Sequence, residues 1–514
     1  MNLILKYKKE IIASIALIAI YFVSRLIFIG NFPIFTDEAI YVRWAQIASN
    51  DAAWRFISLT DGKQPMLIWA AMILVKVIEE PLVATRLVSV IAGFFTLIGL
   101  WILSYELFKD KRVAFLSSLL YICYPFAVVY DRLALYDSTV TAFAVWAIYF
   151  SILLVRRVRL DIALILSFIL GGGLLTKSSA IFSVYLLPFT LLLFDFKDKK
   201  RKENLIKWVI FAVVAVILSQ IFYNILRLSP FFHIVSEKNT VFVYPISEWI
   251  KHPFAFAWGN LRGLCDWLFT YLTPFYTALI IISLVTIKKY TKEKVLLTLY
   301  FLLPFLALAL FGKVIFPRFI FFMSIYLLPL AAVGLVDLID FVNKYFKKRK
   351  IESMAIPALI IAFFIIYPIK VSLDFIFNPK DARIANADKI QYITDWSAGG
   401  GVRESIEFFN NESKNGPIFI GTEGTFGLMP ASLDIYLGKN PNVKTQGYWP
   451  IGEVIPEDVL EMANKKPTFF IFYQPCPSCK FSGEAPSGWP VTLVKRVEKS
   501  ENVFYSIYKV NPSN

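Results

Sequence analysis

Apolar runs of bilayer-spanning length recur along the chain and stop near residue 374. Crossing the hydrocarbon core takes about 20 apolar residues. Such runs lie near 10–30, 82–108, 113–131, 138–155, 161–176, 178–194, 205–226, 265–287, 294–312, 316–340 and 352–373, about eleven spans in all. GGG and TKSS interrupt the stretch 161–194. In lipid every backbone polar group must be satisfied internally, so runs of this length dictate helices. The expected fold is a polytopic α-helical membrane protein, with a transmembrane domain over 1–375 and a soluble α/β domain over 376–514.

Of the 514 residues, 57% are hydrophobic and only 18% charged, with a formal net charge of +15. The excess of lysine and arginine sits in short runs between apolar segments: KYKKE, KDKR, RRVR, FKDKKRKE, KKYTKEK and NKYFKKRK. Runs so placed are cytoplasmic anchors under the positive-inside bias, not a groove for nucleic acid. With KYKKE inside, every other basic run also falls inside. The expected localisation is the cell (plasma) membrane, multi-pass, with a cytoplasmic N-terminus. Residues 31–80, 130–138, 227–264 and everything after about 374 then lie outside, and the C-terminal domain is extracytoplasmic.

The outer segment 31–80 carries two helical patterns, IYVRWAQIA and QPMLIWAAMILVKVIEE, which suit interfacial helices. Trp44, Trp54 and Trp69 suit the headgroup level. In the tail, GVRESIEFFNN reads as a helix and PIFIGTEG, TFFIFYQ and VFYSIYKV as strands. No inverted repeat is evident. Cys123 and Cys265 read as packed thiols, and Cys476 and Cys479 (CPSC) as a local disulfide or two plain thiols, because no second pair or nearby histidine completes a metal site.

Four acids stand out on the outer side. Asp37 and Glu38 open FPIFTDEAIYVRWAQIA; Asp131 and Asp137 flank RLALY. Carboxylates at a membrane boundary can act as a general base, line a polar site or hold a cation. Local rules explain them equally well: Thr36 is a good N-cap with two acids in the following turn, and Asp137 suits the N-cap of the fourth span. Lys63, Arg132, Lys177, Arg318 and Arg25 lie at outer span ends, where they can meet lipid headgroups or cradle a phosphate. His233 and His252 have no carboxylate at ligand spacing. With no GxxxxGK[ST] or GxGxxG loop, an enzyme on the outer face needs an activated substrate already there. A sugar on a polyprenyl phosphate meets that need.

The motifs resemble those of GT-C glycosyltransferases of the family 39 and 83 type, the protein O-mannosyltransferases and the aminoarabinose lipid A transferase. TDEAIYVRWA is similar to the first-loop Asp-Glu motif, GKQPMLIW to a KPPL-W stretch, and ATRLVSVIAG to the start of the next span. DRLALYDS, LLTKSSA and PRFIFFMSIYLLPLAAVGL follow in the expected order. Gln64 replaces the first proline of the second motif, and Gly62 stands where the lipid A enzyme has a glutamate. The tail, with DWSAGGGVRESIEFF, looks like the extracytoplasmic domain of many prokaryotic members.

The resemblance implies an inverting transferase that moves a mannose-like or other sugar from a polyprenyl-phosphate donor to an acceptor hydroxyl on a protein, glycan or glycolipid. Asp37, Glu38 and Asp137 are its candidate catalytic acids. Lys63, Arg132, Arg318, Lys177 and Arg25 are the candidates for the donor phosphate. The chemistry requires no cofactor and is compatible with a divalent cation. The rival from another class is a transporter or flippase for a lipid-linked substrate, for which the GGG at 171–173 would be a helix break.

Overall fold

The computed structural model describes residues 8–286, 289–348, 355–475 and 479–512. Among the described residues each of the eleven apolar segments is mainly helical. Six are helices long and apolar enough to cross a membrane: Pro81–Phe108, Tyr136–Arg157, Arg201–Leu228, Ala257–Val285, Thr291–Phe311 and Ala355–Phe377. A seventh is a bent pair, Pro317–Ser324 and Leu327–Lys347, turning by 54°. The others are shorter or broken. Lys8–Leu26 starts in charge, Lys111–Cys123 stops at Tyr124 before Pro125–Tyr130, and Leu160–Leu174 and Ser178–Leu193 are short apolar helices.

The GGG is not a helix break. Leu160–Leu174 runs through it, and the glycines let neighbouring helices close in. A Cβ on Gly172 would stand 2.5 Å from the Phe143 ring, and one on Gly171 would stand 2.9 Å from Phe222. Small residues at helix crossings are the usual means of tight packing in lipid.

The chain groups into two compact units. The first comprises Met1–Ile27, Phe56–Ala70 and Arg86–Ala385. Charged side chains cluster at one of its ends. Arg156 pairs with Glu106 at 2.6 Å and Glu293 at 3.9 Å, Arg112 with Asp110 at 3.0 Å and Asp340 at 2.6 Å, and Lys289 with Asp337 at 3.8 Å. These contacts gather KDKR, RRVR, KKYTKEK and the approach to NKYFKKRK at one end, as their shared assignment requires.

The second unit comprises Phe28–Arg55, Ala71–Thr85 and Asn386–Asn514. Its sheet has five strands: β1 (Ile418–Glu423), β2 (Val443–Tyr448), β3 (Thr468–Phe472), β4 (Val491–Ser500) and β5 (Val503–Val510), in the order β2-β1-β3-β5-β4. β1 pairs parallel with β2 and β3, while β5 runs antiparallel to β3 and β4. Helices Ala431–Leu437 and Glu457–Lys465 make the two crossovers. β1 and β3 are buried throughout, as strands covered on both faces must be. Ile420, Phe469 and Ile471 pack on one face with Val42 and Ala39 of helix Thr36–Asn50; Phe419 and Phe470 pack on the other with Val459 and Trp489. Trp44 is correspondingly a core residue, 5% exposed, rather than a headgroup anchor.

Candidate active site

In the first unit the site grows from two helix entries. Helix Tyr136–Arg157 is capped by Leu135, so Asp137 is not the N-cap that local rules favour; it lies in the first turn. There the helix dipole still favours a carboxylate. Asp137 Oδ1 accepts a hydrogen bond of 2.6 Å from Lys177 Nζ. Lys177 occupies an extended position between helix Leu160–Leu174 and the turn Ser178–Ala180. Its ammonium lies 4.7 Å from the Phe319 ring centre. Arg318, beside Phe319 in the short turn Pro317–Ile320, is 8% exposed, with its guanidinium 5.0 Å from the Phe316 ring.

Lys63 joins this group through its segment. Gln64 Nε2 donates to Ser178 Oγ at 2.7 Å, and the Met66 amide donates to Leu175 O at 3.1 Å. Residues 64–66 are thereby stitched to the Lys177 turn. Arg318 and Lys63 both act electrostatically on Lys177. Lys177, Arg318 and Lys63 thus act on one another in one neighbourhood, with Asp137 bonded to Lys177, and such a group of donors suits an anion with several acceptor oxygens. Gln64, noted in the sequence only as a departure, is the side chain that makes the stitch.

Arg25 and Arg132 form a different cluster. Arg25 is fully buried: its Nε donates to Asp131 Oδ2 at 3.3 Å, and its terminal nitrogens donate to Ile122 O, Tyr121 O and Ser24 Oγ. Asp131 also accepts from Tyr121 at 2.9 Å and Ser138 at 2.8 Å. Arg132 donates to three backbone carbonyls at the end of the first helix: Ser24 at 3.1 Å, Arg25 at 2.8 Å and Ile27 at 2.8 Å. A cation on the orphan carbonyls of a helix C-terminus is a cap. Arg25 and Arg132, named above among the candidates for the donor phosphate, both donate to protein oxygens.

Asp37 and Glu38 belong to the second unit. Phe35, not Thr36, is the N-cap of helix Thr36–Asn50. Thr36 instead donates to Ser397 O twice, from its amide at 3.1 Å and its hydroxyl at 2.8 Å. Glu38 is fully buried, and its Oε2 accepts from the Phe35 amide at 3.0 Å, which is one arm of a capping box. Asp37, in the same turn, is only half-buried. One acid therefore serves the helix end, and the other is partly accessible.

His233 is exposed, with Nδ1 3.0 Å from Pro230 O. Among the described residues no three His, Cys, Asp or Glu side chains gather as a metal site. Cys479 is disulfide-bonded, Cys123 and Cys265 are free, and Cys476 lies outside the described residues.

Comparison with known proteins agrees with the family resemblance read from the motifs. Residues 62–223 match the model of the dolichyl-phosphate-mannose-protein mannosyltransferase family. That segment contains Lys63, Arg132, Asp137 and Lys177. No curated protein matches. Among solved structures, ArnT from Cupriavidus metallidurans in its apo state aligns with 99% of this chain and 100% of its own, at a TM-score of 0.57 and 13% identity. The same protein bound to undecaprenyl phosphate aligns over the same shares, at a TM-score of 0.54 and 13% identity. The fold is therefore that of ArnT, a polytopic helical membrane protein with a C-terminal domain.

Proposed function

We propose that the protein is a membrane glycosyltransferase that moves a sugar from a polyprenyl-phosphate donor to an acceptor hydroxyl at the outer face. The observation that carries this reading is the grouping of Lys63 and Arg318 with Lys177, which is paired with Asp137. It lies at the end of helix Tyr136–Arg157 opposite the cytoplasmic-type charge network, and largely within the segment that matches the family model. A departing phosphate gains negative charge as the sugar–oxygen bond breaks, and fixed cations in a water-poor site stabilise that charge.

Asp37 is the base by motif resemblance and by its half-open position. It takes the acceptor proton, the acceptor oxygen bonds to the anomeric carbon from the face opposite the phosphate, and polyprenyl phosphate leaves with the bonding electron pair. Asp137 holds the Lys177 ammonium. Glu38 holds the entry of the Asp37 helix, and Arg25 and Arg132 hold the end of the first helix. The acceptor is a hydroxyl on a protein, glycan or glycolipid. Disulfide-bonded Cys479 supports an extracytoplasmic tail, since such bonds persist in oxidising compartments.

The test is consumption of radiolabelled undecaprenyl-phosphate sugars by the full chain in nanodiscs. Release of undecaprenyl phosphate from at least one is expected. One observation favours the flippase reading: helix Ala257–Val285 is interrupted at Thr273, φ 58°, before Pro274, and transporters build sites on discontinuous helices. No consumption, together with transbilayer movement of the lipid in vesicles, would establish that alternative.

A further inference from the structure

We propose that the loop 395–401, DWSAGGG, held by Lys499, is the positioning element for Asp37. The proposal rests on the reading of Asp37 as the base, and it gives the C-terminal domain a task in the reaction. All the contacts that carry it lie inside the second unit.

The loop grips the entry of helix Thr36–Asn50 from one side. Ser397 O takes both hydrogen bonds from Thr36, and Phe35 forms an isolated bridge with Ala398. Gly399 packs so closely on this entry that a Cβ would stand 2.2 Å from Ile34 O. Asp37 is the next residue along, so the geometry of these contacts sets the direction in which its carboxylate leaves the helix.

The sheet grips the same loop from the other side. Lys499, near the end of β4 and 3% exposed, donates to Ala398 O at 2.5 Å and Trp396 O at 3.1 Å. Its neighbour Ser500 donates to Thr394 O at 2.9 Å. Gly401 has φ 97°, and a Cβ there would stand 2.6 Å from the Tyr505 ring on β5. Three glycines in a row thus have separate neighbours: Ile34 for the first, Lys499 for the second and Tyr505 for the third.

A buried lysine is costly, and burial pushes the Lys499 ammonium down to about 7. A lysine on an edge strand guards against edge-to-edge pairing, but this one is also bonded to the loop. What the lysine adds is a rigid donor to two carbonyls that no apolar side chain can hold.

The experiment measures turnover of the undecaprenyl-phosphate sugar that the wild-type chain consumes, in the full chain, for Lys499→Met, Lys499→Arg, Asp37→Asn and the double variant Asp37→Asn/Lys499→Met. Displacing a reacting group by about 1 Å can cost on the order of 10²-fold. Lys499→Met is expected to lower kcat by about 10- to 100-fold with an unchanged KM for donor, Lys499→Arg to restore part of it, and the double variant to be no slower than Asp37→Asn alone. Hydrogen exchange in the full chain should show the amides of residues 34–40 exposed by Lys499→Met and those of β3 unchanged. Undiminished turnover in Lys499→Met, or an equal further loss in the Asp37→Asn background, would overturn the proposal. If the wild-type chain consumes no donor, the glycosyltransferase reading fails first; unchanged exchange at residues 34–40 in Lys499→Met then sinks the grip on its own.

Discussion

Asp37 and Glu38 are adjacent acids with different surroundings, and the difference predicts different losses. Asp37→Asn removes the proposed proton acceptor and should lower kcat by about 10²–10⁴. Glu38→Gln keeps an oxygen for the Phe35 amide and should stay within a few-fold of normal turnover. Glu38→Ala leaves that buried N–H unmade, at about 1–3 kcal/mol, and should show first as a lower melting midpoint. The same logic separates the cations. Lys177→Met should raise the KM for donor about tenfold or more, whereas Arg132→Met strips three carbonyls of their donor and should lower the melting midpoint. Steady-state kinetics and thermal scans of purified variants distinguish the two outcomes. Sequence alone could list these residues but not sort them, because whether an arginine meets a carbonyl or a phosphate is decided by tertiary contacts.

Two further residues link charge to stability in the second unit. Burial raises the Glu423 carboxyl to about 7, against the pull of hydrogen bonds from the Tyr473 and Gln474 amides. Raised in the folded state, it contributes stability that is present below its unfolded value near 4.5 and lost as pH rises through about 7. Lys499 is the opposite case. Its lowered value makes stability grow as pH rises from about 7 towards 10.5, and fall back as pH drops through about 7. Near neutrality both groups sit in their costlier range, so melting midpoints across pH 5–10 should pass through a minimum around 7. Glu423→Gln should flatten the acid limb and Lys499→Met the alkaline one.

At the scale of elements, burial decided what could be read. β1, β3 and β5 carry apolar β-formers in sequence, and PIFIGTEG, TFFIFYQ and VFYSIYKV mark them within a residue or two. β2 (VKTQGY) and β4 (VTLVKRVEKS) lie at the two edges of the sheet and carry the polar residues that edges need, so no apolar run announces them. Lys499 was hidden for that reason, although Lys495, Val497 and Lys499 alternate along β4 as the more buried set. The GGG at 171–173 misleads in the other direction. Glycine in a soluble helix is a weak point, but here it is the surface on which Phe143 and Phe222 settle. Gly172→Val should therefore cost about 1–3 kcal/mol by overpacking, seen as a lower melting midpoint, with turnover per folded molecule retained.

At the scale of the whole molecule, the chain's division by hydropathy is not its division by packing. Hydropathy ends one region near residue 374, yet the unit that contains the sheet also contains residues 28–55 and 71–85. Ala39 and Val42 of the Asp37 helix and Leu82 share a buried cluster with Phe409, Phe469 and Ile507. Gln46 Nε2 donates to Ile435 O at 3.1 Å, and Tyr436 OH donates to Glu80 Oε1 at 2.5 Å. Contacts across hundreds of residues leave no local mark in a single sequence. They make the tail something other than an appendage. A chain ending at residue 385 keeps every apolar span and all of residues 62–223, but it strips the apolar face of helix Thr36–Asn50 and the Ser397 carbonyl that fixes its start. Such a chain should still insert, as an intact membrane-extracted band, and should lose donor consumption by at least the factor lost in Asp37→Asn. Its amides at 36–48 should exchange fast in lipid nanodiscs. Normal consumption by the shortened chain would show that the Asp37 helix keeps its conformation without the sheet, and would return the tail to an accessory role.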